Sequence, residues 1–301
     1  MLFQYTGSFD LLTIKKVIGS HPVPDIIVLL ILFGLLSKSA TLPFHTWLPD
    51  AGVAPSPVTA LLHAAVLVKI GVYVFARLFV ATLTLSAFWH VGVPVIAGVS
   101  ALVAAGAAMV DTNLKRIIAY STISQIGFIF LGLATNCFIG VAGGLLYILM
   151  HGLAKGGLFL CAGIIEQNTG VKDIRKLGGL ITAMPITAVS FLLCAFSVMG
   201  IPPFGGFFSK YMVIAGSVQS EPFWVTLIFM VGAVFTILYL FRVFNAVFLG
   251  NNLTPAAKEG SATMLISVAL LASLSLIAGF FIYYPGIITQ TIAQSLLMVV
   301  K

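Results

Sequence analysis

Long apolar stretches, each close to the length that crosses a bilayer, alternate with short polar segments along this chain. A transmembrane helix needs about 20 apolar residues. The pattern therefore predicts an all-α polytopic membrane protein with about eight transmembrane helices. The predicted spans are 24–42, 57–82, 89–110, 115–135, 138–165, 181–215, 223–248 and 262–284.

The ends of the chain differ from this pattern. Residues 1–23 are polar enough to form a surface segment ahead of a transmembrane bundle over 24–284. The first apolar run lacks a small-residue cleavage site, so we interpret it as a membrane helix and not as a signal peptide. The apolar tail 285–301 is too short to span a bilayer, and we expect it to lie at the interface.

Two of the predicted spans contain residues that interrupt helices. The first runs into "SATLPFHTWLPDA" with Pro43, and the sixth contains "MGIPPFGGFF" with Pro202, Pro203 and Gly205. Proline removes a backbone donor and glycine loosens a helix. Broken helices at membrane depth recur at the ion and substrate sites of transporters, so we predict two discontinuous helices. The alternative is a kink or a loop with no function.

Composition supports a membrane protein and excludes several other classes. The chain has 301 residues, of which 60% are hydrophobic and 8% charged, whereas a soluble domain carries about 25% charged residues. A net charge of +7 would suggest nucleic acid in a soluble chain, but the basic residues are divided between loops and apolar spans. We therefore expect lipid contact and no nucleic-acid partner. The three cysteines lack metal-site spacing, so we predict no metal site.

Basic loop residues predict the orientation, because cytoplasmic loops are enriched in them. One side would hold Lys15, Lys16, Arg77 and Lys301. The other side would hold Lys115, Arg116, Lys172, Arg175, Lys176 and Lys258. The second set is larger, so we expect it to face the cytoplasm. We therefore place the protein in the cell (inner) membrane, with its amino terminus on the outer side.

Four lysines fall inside predicted spans. They are Lys38, Lys69, Lys155 and Lys210. A lysine at the membrane centre costs roughly 2.5–3.5 kcal/mol on the insertion scale, so four cost roughly 10–14 kcal/mol. That cost is as large as the stability of a typical domain, which favours function over structure. An amine that gains and loses a proton is suited to proton transfer.

Lys155 lies among other polar residues. Tyr147, His151 and Lys155 are spaced four apart and form one stripe on a predicted helix. Histidine both gives and accepts a proton, so this stripe is a candidate proton relay. Ser121 and Gln125 share a face of the preceding helix and are candidates to support it.

His63 is a further candidate and lies six residues before Lys69. On a regular helix, side chains six residues apart point about 120° from each other, so these two would serve different neighbours. A satisfied interhelical hydrogen bond is an equally strong interpretation of His63 on its own.

The eight acidic residues all fall at span ends or in loops. The central lysines therefore have no carboxylate at their own depth in this chain. Either they are largely neutral or another polypeptide supplies the counter-charge, and for Lys38 we favour the second. Hard cations such as Na⁺ prefer oxygen ligands, often carboxylates, so the chain is better suited to protons.

The longest motif, "KSATLPFHTWLPDAGVAPSPVTALLHAAVLVKIGVYVFAR" (38–77), resembles the signature of proton-conducting antiporter-like subunits. These subunits occur in respiratory complex I, in membrane-bound hydrogenases and related complexes, and in Mrp-type Na⁺/H⁺ antiporters. Three further motifs resemble later blocks of that family in the same order. They are "DTNLKRIIAYSTISQIGFIFLGL" (111–133), "MHGLAKGGLFLCAG" (150–163) and "GIPPFGGFFSKYMVI" (200–214).

The resemblance implies a row of proton-carrying residues between two discontinuous helices. By motif position the row comprises Lys38, Lys69, Lys115, His151, Lys155 and Lys210. Many members have a further histidine where this chain has Tyr147, which hydrogen-bonds but relays protons less readily. The chain resembles only the eight C-terminal helices of such a protein. The remainder includes a glutamate that pairs with the lysine equivalent to Lys38, so we expect an antiporter-like partner chain to supply it.

Three functional hypotheses follow. The first is a subunit of an ion-translocating redox complex of quinone, hydrogenase or sulfur-reducing type, which conducts protons while redox subunits transfer electrons. The second is a component of an Mrp-type Na⁺/H⁺ antiporter, and the third is a non-conducting structural subunit of a membrane arm. Without a phosphate-binding loop, nucleophile motif or cysteine cluster, we expect no catalysis and no cofactor in this chain itself.

Overall fold

The computed structural model describes residues 1–19, 21–251 and 257–298, which form α-helices joined by short turns, with no β-strand. The prediction of an all-α polytopic membrane protein is confirmed. The first helices are α1 (Leu2–Thr6), α2 (Leu11–Ile18), α3 (Asp25–Lys38), α4 (Trp47–Asp50), α5 (Ser56–Val80), α6 (Ala87–Val110) and α7 (Leu114–Ala134). The later ones are α8 (Phe138–Thr169), α9 (Leu180–Ala183), α10 (Pro185–Met199), α11 (Gly205–Ser220), α12 (Phe223–Phe248), α13 (Ala262–Phe280) and α14 (Tyr283–Met298).

Among the described residues, six helices are long and apolar enough to cross a membrane: α5, α6, α7, α8, α12 and α13. The other two predicted spans consist of shorter pieces. The first is α3, with 14 residues, and the sixth is the pair α10 and α11, with 15 and 16 residues. These are the two spans that the sequence predicts to be discontinuous.

The first predicted span ends four residues too late, because α3 ends at Lys38 and not at residue 42. Pro43 has no N–H for the carbonyl of Ser39, which ends the regular hydrogen-bond ladder. Instead the Leu42 N–H donates to the Ser100 hydroxyl at 3.1 Å, and the Trp47 indole donates to the Ser37 carbonyl at 3.1 Å. Side chains of other segments therefore contact the backbone on both sides of Ser39 at this break.

The second break follows the same rule. The αL conformation of Gly200 (φ 81°) ends α10, and Gly205 and Gly206 begin α11. In a continuous helix the Val198 carbonyl would accept from residue 202, but Pro202 has no N–H. The Lys210 ammonium donates to that carbonyl at 2.7 Å. The break and this lysine are therefore one structural unit.

The helix α8 lies at the centre of the bundle, where it packs against α5, α7, α10, α11, α13 and α14. Its neighbour α7 is almost wholly enclosed, since 94% of its apolar window is buried. The Asn113 side chain begins α7 by accepting from the backbone of Lys115 and Arg116, and Gly170 ends α8 in the αL conformation. Polar residues on these two helices therefore lie in the core.

The last predicted span, 262–284, extends too far, because α13 ends at Phe280 and a further helix, α14, follows after a two-residue turn. Gly286, Thr289, Ala293 and Leu296 of α14 are buried against the bundle. The predicted surface segment 1–23, bundle 24–284 and interfacial tail 285–301 stay predictions. Lys301 of the predicted loop-charge set lies outside the described residues.

Candidate functional site

The three side chains of the predicted stripe are all buried on α8. Tyr147 and Lys155 are fully enclosed, and His151 is 1% exposed. The Lys155 ammonium donates to the Ser121 hydroxyl at 2.5 Å and to the Ile118 carbonyl at 3.2 Å, both on α7. The stripe on α8 therefore contacts the predicted supporting face of α7.

Hydrogen bonds extend from Lys155 to Tyr147 through a third helix. The Ser121 hydroxyl lies 2.6 Å from the hydroxyl of Tyr239, which also accepts from the Gln125 amide at 3.3 Å. The Tyr147 hydroxyl donates to the Gln125 carbonyl oxygen at 2.6 Å. The resulting chain is Lys155–Ser121–Tyr239–Gln125–Tyr147, which we call the polar chain.

Two members of this network were missed from the sequence. Tyr239 belongs to the polar chain, and Thr236 accepts from the Gln125 amide at 3.1 Å. Both residues are fully buried on α12. The sequence does contain a pattern that could have identified them: Thr236 and Tyr239 are polar residues three apart, on one helix face, within the apolar run 223–248.

Lys69 and His151 form a separate contact. The Lys69 ammonium lies 2.9 Å from Nδ1 of His151, and Lys69 is 7% exposed. Nε2 of His151 has no hydrogen-bond partner among the described residues. Its ring centre lies 6.0 Å from that of Tyr147, which places the Lys69–His151 pair next to the end of the polar chain.

His63 contacts the same central helix at a different point. Its ring lies 4.4 Å from the ring of Phe159 on α8, while Lys69 reaches His151 eight residues earlier. Neither ring nitrogen of His63 has a hydrogen-bond partner in the described part of the chain. The interpretation of His63 as a satisfied interhelical hydrogen bond is therefore wrong for these helices, which leave both buried nitrogens free.

Lys210 also faces this cluster. Its ammonium lies 4.7 Å from the ring centre of Phe128 and 5.7 Å from that of Tyr147. Lys210 is 6% exposed. The second helix break therefore places a lysine beside the tyrosine that ends the polar chain.

Lys38 is located differently from the other predicted lysines. It is the last residue of α3, and its side chain is exposed. Within residues 1–19, 21–251 and 257–298, no carboxylate lies within 4.0 Å of Lys38, Lys69, Lys155 or Lys210. Three of these lysines are thus enclosed by this chain, and Lys38 is open to whatever lies beside it.

Lys115 lies at one end of the bundle, away from the polar chain. Its ammonium forms an ion pair with Glu166 at 2.7 Å, and Lys172 contacts the same carboxylate at 3.2 Å. Lys115 and Glu166 line a cavity of about 710 Å³, together with Ser56 and Ser267. At the same end, hydrogen bonds from Arg175 lower the pKa of Asp173 to about 2. This end of the bundle is therefore polar, charged and accessible.

Comparison with known proteins identifies the family. Residues 1–236 match the family model described as "NADH:quinone oxidoreductase/Mrp antiporter, TM". The chain belongs to this family. The resemblance inferred from the motifs is confirmed, and the protein is an antiporter-like, multi-pass membrane subunit.

Curated relatives in the family include proteins named as Na(+)/H(+) antiporter subunits. The chain is 35% identical to a Na(+)/H(+) antiporter subunit of Alkalihalophilus pseudofirmus over 325 residues. It is 34% identical to the identically named protein of Bacillus subtilis over 322 residues. Each alignment covers 98% of this chain, and the chain spans only 40% of the length of each relative.

Solved structures share the fold. A chain of the Mrp complex from Dietzia sp. DQ12-45-1b matches with a TM-score of 0.89 and 22% identity, over 99% of this chain and 65% of its own length. A chain of the archaeal membrane-bound sulfane sulfur reductase matches with a TM-score of 0.88 and 25% identity, over 99% and 62%. Both structures are of multi-subunit membrane complexes.

Proposed function

We propose that this antiporter-like protein translocates protons through its buried polar groups, as part of a multi-subunit Na⁺/H⁺ antiporter. The observation that carries the proposal is the polar chain Lys155–Ser121–Tyr239–Gln125–Tyr147, enclosed by three apolar helices. Burying a polar group costs free energy unless the group is hydrogen-bonded, and burying a lysine without a carboxylate partner costs more. A structural role alone does not account for that cost.

The chemistry of the links from Lys155 to Tyr239 supports proton movement. The Gln125 amide joins Tyr239 to Tyr147 by hydrogen bonds but does not itself gain or lose a proton. The Lys155 ammonium is a donor, and the hydroxyls of Ser121 and Tyr239 each donate and accept. No direct hydrogen bond joins Tyr147 to His151 among the described residues, because the Tyr147 hydroxyl donates to Gln125 and Nδ1 of His151 contacts Lys69. Nε2 of His151 is buried and unpartnered among the described residues, and a bridging water would satisfy it.

The charged end of the bundle supports a route of access. The cavity at Lys115 and Glu166 gives water a volume of about 710 Å³ beside the end of α8, the helix that carries His151 and Lys155. In our proposal protons reach the buried groups from this side. Lys115 would then act at the mouth of the route, which agrees with its position in the family motif.

Lys38 supports the expectation of a partner subunit. It is an exposed cation at the end of α3 without a carboxylate nearby in the described residues. A neighbouring membrane protein that presents an intramembrane carboxylate would pair with it. Coupling between neighbouring charges would then link proton movement in the two chains.

The relatives favour an antiporter as the type of complex, because those at 34–35% identity are named as subunits of Na(+)/H(+) antiporters. Sodium would be bound elsewhere in the complex, since this chain places no carboxylate near its buried lysines within the described residues. A redox-coupled complex is the second candidate, supported by the 25% identity to a chain of the sulfane sulfur reductase. We further propose the inner membrane as the location, with the amino terminus outside.

The test is Lys155→Met, compared with Lys176→Met as a matched control. Lys176 is an exposed loop lysine, so its loss removes the same charge without touching the polar chain. Each variant is expressed with its partner subunits, and Na⁺-driven proton movement is measured in everted membrane vesicles with a fluorescent pH indicator. Lys155→Met should abolish proton movement, and Lys176→Met should retain it.

Normal transport by an assembled Lys155→Met complex would refute proton conduction and favour the structural role. Proton movement that requires an electron donor, and not a sodium gradient, would favour the redox complex.

A further inference from the structure

A second pocket lies at the end of the bundle opposite the Lys115 cavity. It has a volume of about 270 Å³ and lies between α2, the end of α5 and α14. Its polar lining consists of Lys15, Arg77, Thr82, Thr291 and Ser295. None of its lining residues, all of which belong to the described part of the chain, is acidic. We call it the basic pocket.

The two cations of the basic pocket have no counter-ion in the described residues. The Lys15 ammonium donates to the Ala81 carbonyl at 3.2 Å, which holds it at the pocket and leaves two further donors free. Arg77 is exposed in the last turn of α5 and has no carboxylate within 4.0 Å in the described chain. Two positive charges therefore share one pocket.

The acids nearest in sequence are already engaged elsewhere. Asp10 caps its own helix by accepting from the backbone and the hydroxyl of Thr13 at 2.8 and 2.7 Å. Asp25 accepts from the Ser86 hydroxyl at 2.8 Å and from the Trp89 indole at 2.9 Å. Neither acid lines the basic pocket, so the positive charge of the pocket is available to a ligand.

The remaining lining residues are mostly leucine and isoleucine. Leu12 is 66% exposed and Ile292 is 43% exposed, so an apolar surface continues outward from the two cations. The hydroxyls of Thr291 and Ser295 donate to backbone carbonyls of α14 itself, at 2.9 and 3.0 Å. Recognition of a charged group therefore rests on the two cations, and recognition of an apolar group rests on the apolar wall.

We propose that the basic pocket binds the phosphate of an anionic phospholipid. The Arg77 guanidinium would hold two phosphate oxygens and Lys15 a third, while the acyl chains follow the apolar wall. Free phosphate shares the headgroup chemistry but would not use that wall. The bound lipid would join α2 and α5 to α14, and this role is independent of proton conduction.

The test uses the chain with the membrane subunits that copurify with it, placed in nanodiscs of phosphatidylcholine. Binding of phosphatidylglycerol is measured by native mass spectrometry during a titration. The double variant Lys15→Ala/Arg77→Ala is compared with Lys16→Ala, which removes the exposed neighbouring lysine outside the pocket. The double variant should bind about 10- to 50-fold more weakly, and Lys16→Ala should change affinity less than about three-fold.

Equal binding by the double variant and by Lys16→Ala would overturn the proposal. Displacement of phosphatidylglycerol by millimolar inorganic phosphate would also overturn it, since free phosphate would then be the ligand. If the double variant does not accumulate, Arg77→Gln provides the same comparison, because it removes one charge and retains a polar side chain.

Discussion

The contact between Lys155 and Ser121 is the link in the polar chain that a single substitution tests most directly. Ser121→Ala removes the hydroxyl that accepts from the Lys155 ammonium at 2.5 Å. It also removes the partner of the Tyr239 hydroxyl at 2.6 Å. Lys155 retains the Ile118 carbonyl at 3.2 Å, so the substitution removes one of its two contacts without changing the charge.

The expected magnitude follows from the nature of this bond. A hydrogen bond to a charged group contributes about 1.5–3 kcal/mol. If the proton leaves or reaches Lys155 through Ser121, losing the bond raises the barrier by up to that amount. A barrier increase of about 1.5–3 kcal/mol slows transport roughly 10- to 150-fold. The Tyr239 hydroxyl still contacts the Gln125 amide, so the loss of its contact with Ser121 adds little to the barrier.

Ser124→Ala is the matched control. Ser124 is fully buried on the same helix, three residues further along, but its hydroxyl has no partner among the described residues. It should therefore retain transport within about two-fold, because no hydrogen bond is lost. Both variants are assayed in everted vesicles at matched amounts of assembled complex. Equal transport by the two variants would refute the assignment of Ser121 to the proton route.

Three further predictions concern stability, measured as thermal unfolding of the purified protein in detergent. Gly206→Ala should destabilise by about 1–3 kcal/mol, because its Cβ would overlap a backbone carbonyl of α10. The control is Gly106→Ala, which should leave stability unchanged or raise it, because an added Cβ there meets open space. Glu166→Gln should cost about 1.5–3 kcal/mol, because it removes the ion pair of Lys115 at 2.7 Å, and an unchanged melting temperature would contradict this. Burial raises the pKa of Glu221 to about 7. The contribution of the protonated carboxyl to stability is therefore full below about pH 4.5 and is lost as pH rises through 7. Glu221→Gln should abolish that decline in melting temperature, and a variant with the pH profile of the unchanged protein would exclude Glu221 as its cause.

The discontinuous spans could be predicted because their cause is local. Proline lacks a donor wherever it occurs, so "LPFH" and "GIPPFGG" indicate breaks without any knowledge of neighbours. The stripe on α8 could be predicted for the same reason, since a spacing of four fixes one helix face. The exact end of α3 could not, because it depends on contacts that Ser100 and Trp47 make with the backbone at the break.

The polar chain itself could be predicted only in part. The spacing of Ser121 and Gln125 identifies them, but their connection runs through Tyr239 on a helix more than 100 residues later. Periodicity specifies which residues share a face and does not specify which face meets which helix. The exposure of Lys38 depends in the same way on tertiary packing, since α3 lies at the side of the bundle and its sequence alone reads as a central span.

The two helix breaks make different use of their lysines, and the difference lies in which side chain contacts the backbone at each break. At the second break the Val198 carbonyl takes the Lys210 ammonium, so this lysine is turned inward toward Tyr147. At the first break the Ser37 carbonyl accepts from the Ala40 N–H at 3.3 Å and from the Trp47 indole at 3.1 Å. Lys38 makes no such contact with the described backbone at this break, and its side chain is exposed. A helix break thus places Lys210 in the interior of this protein, whereas the other break leaves Lys38 exposed, where a neighbouring chain could contact it.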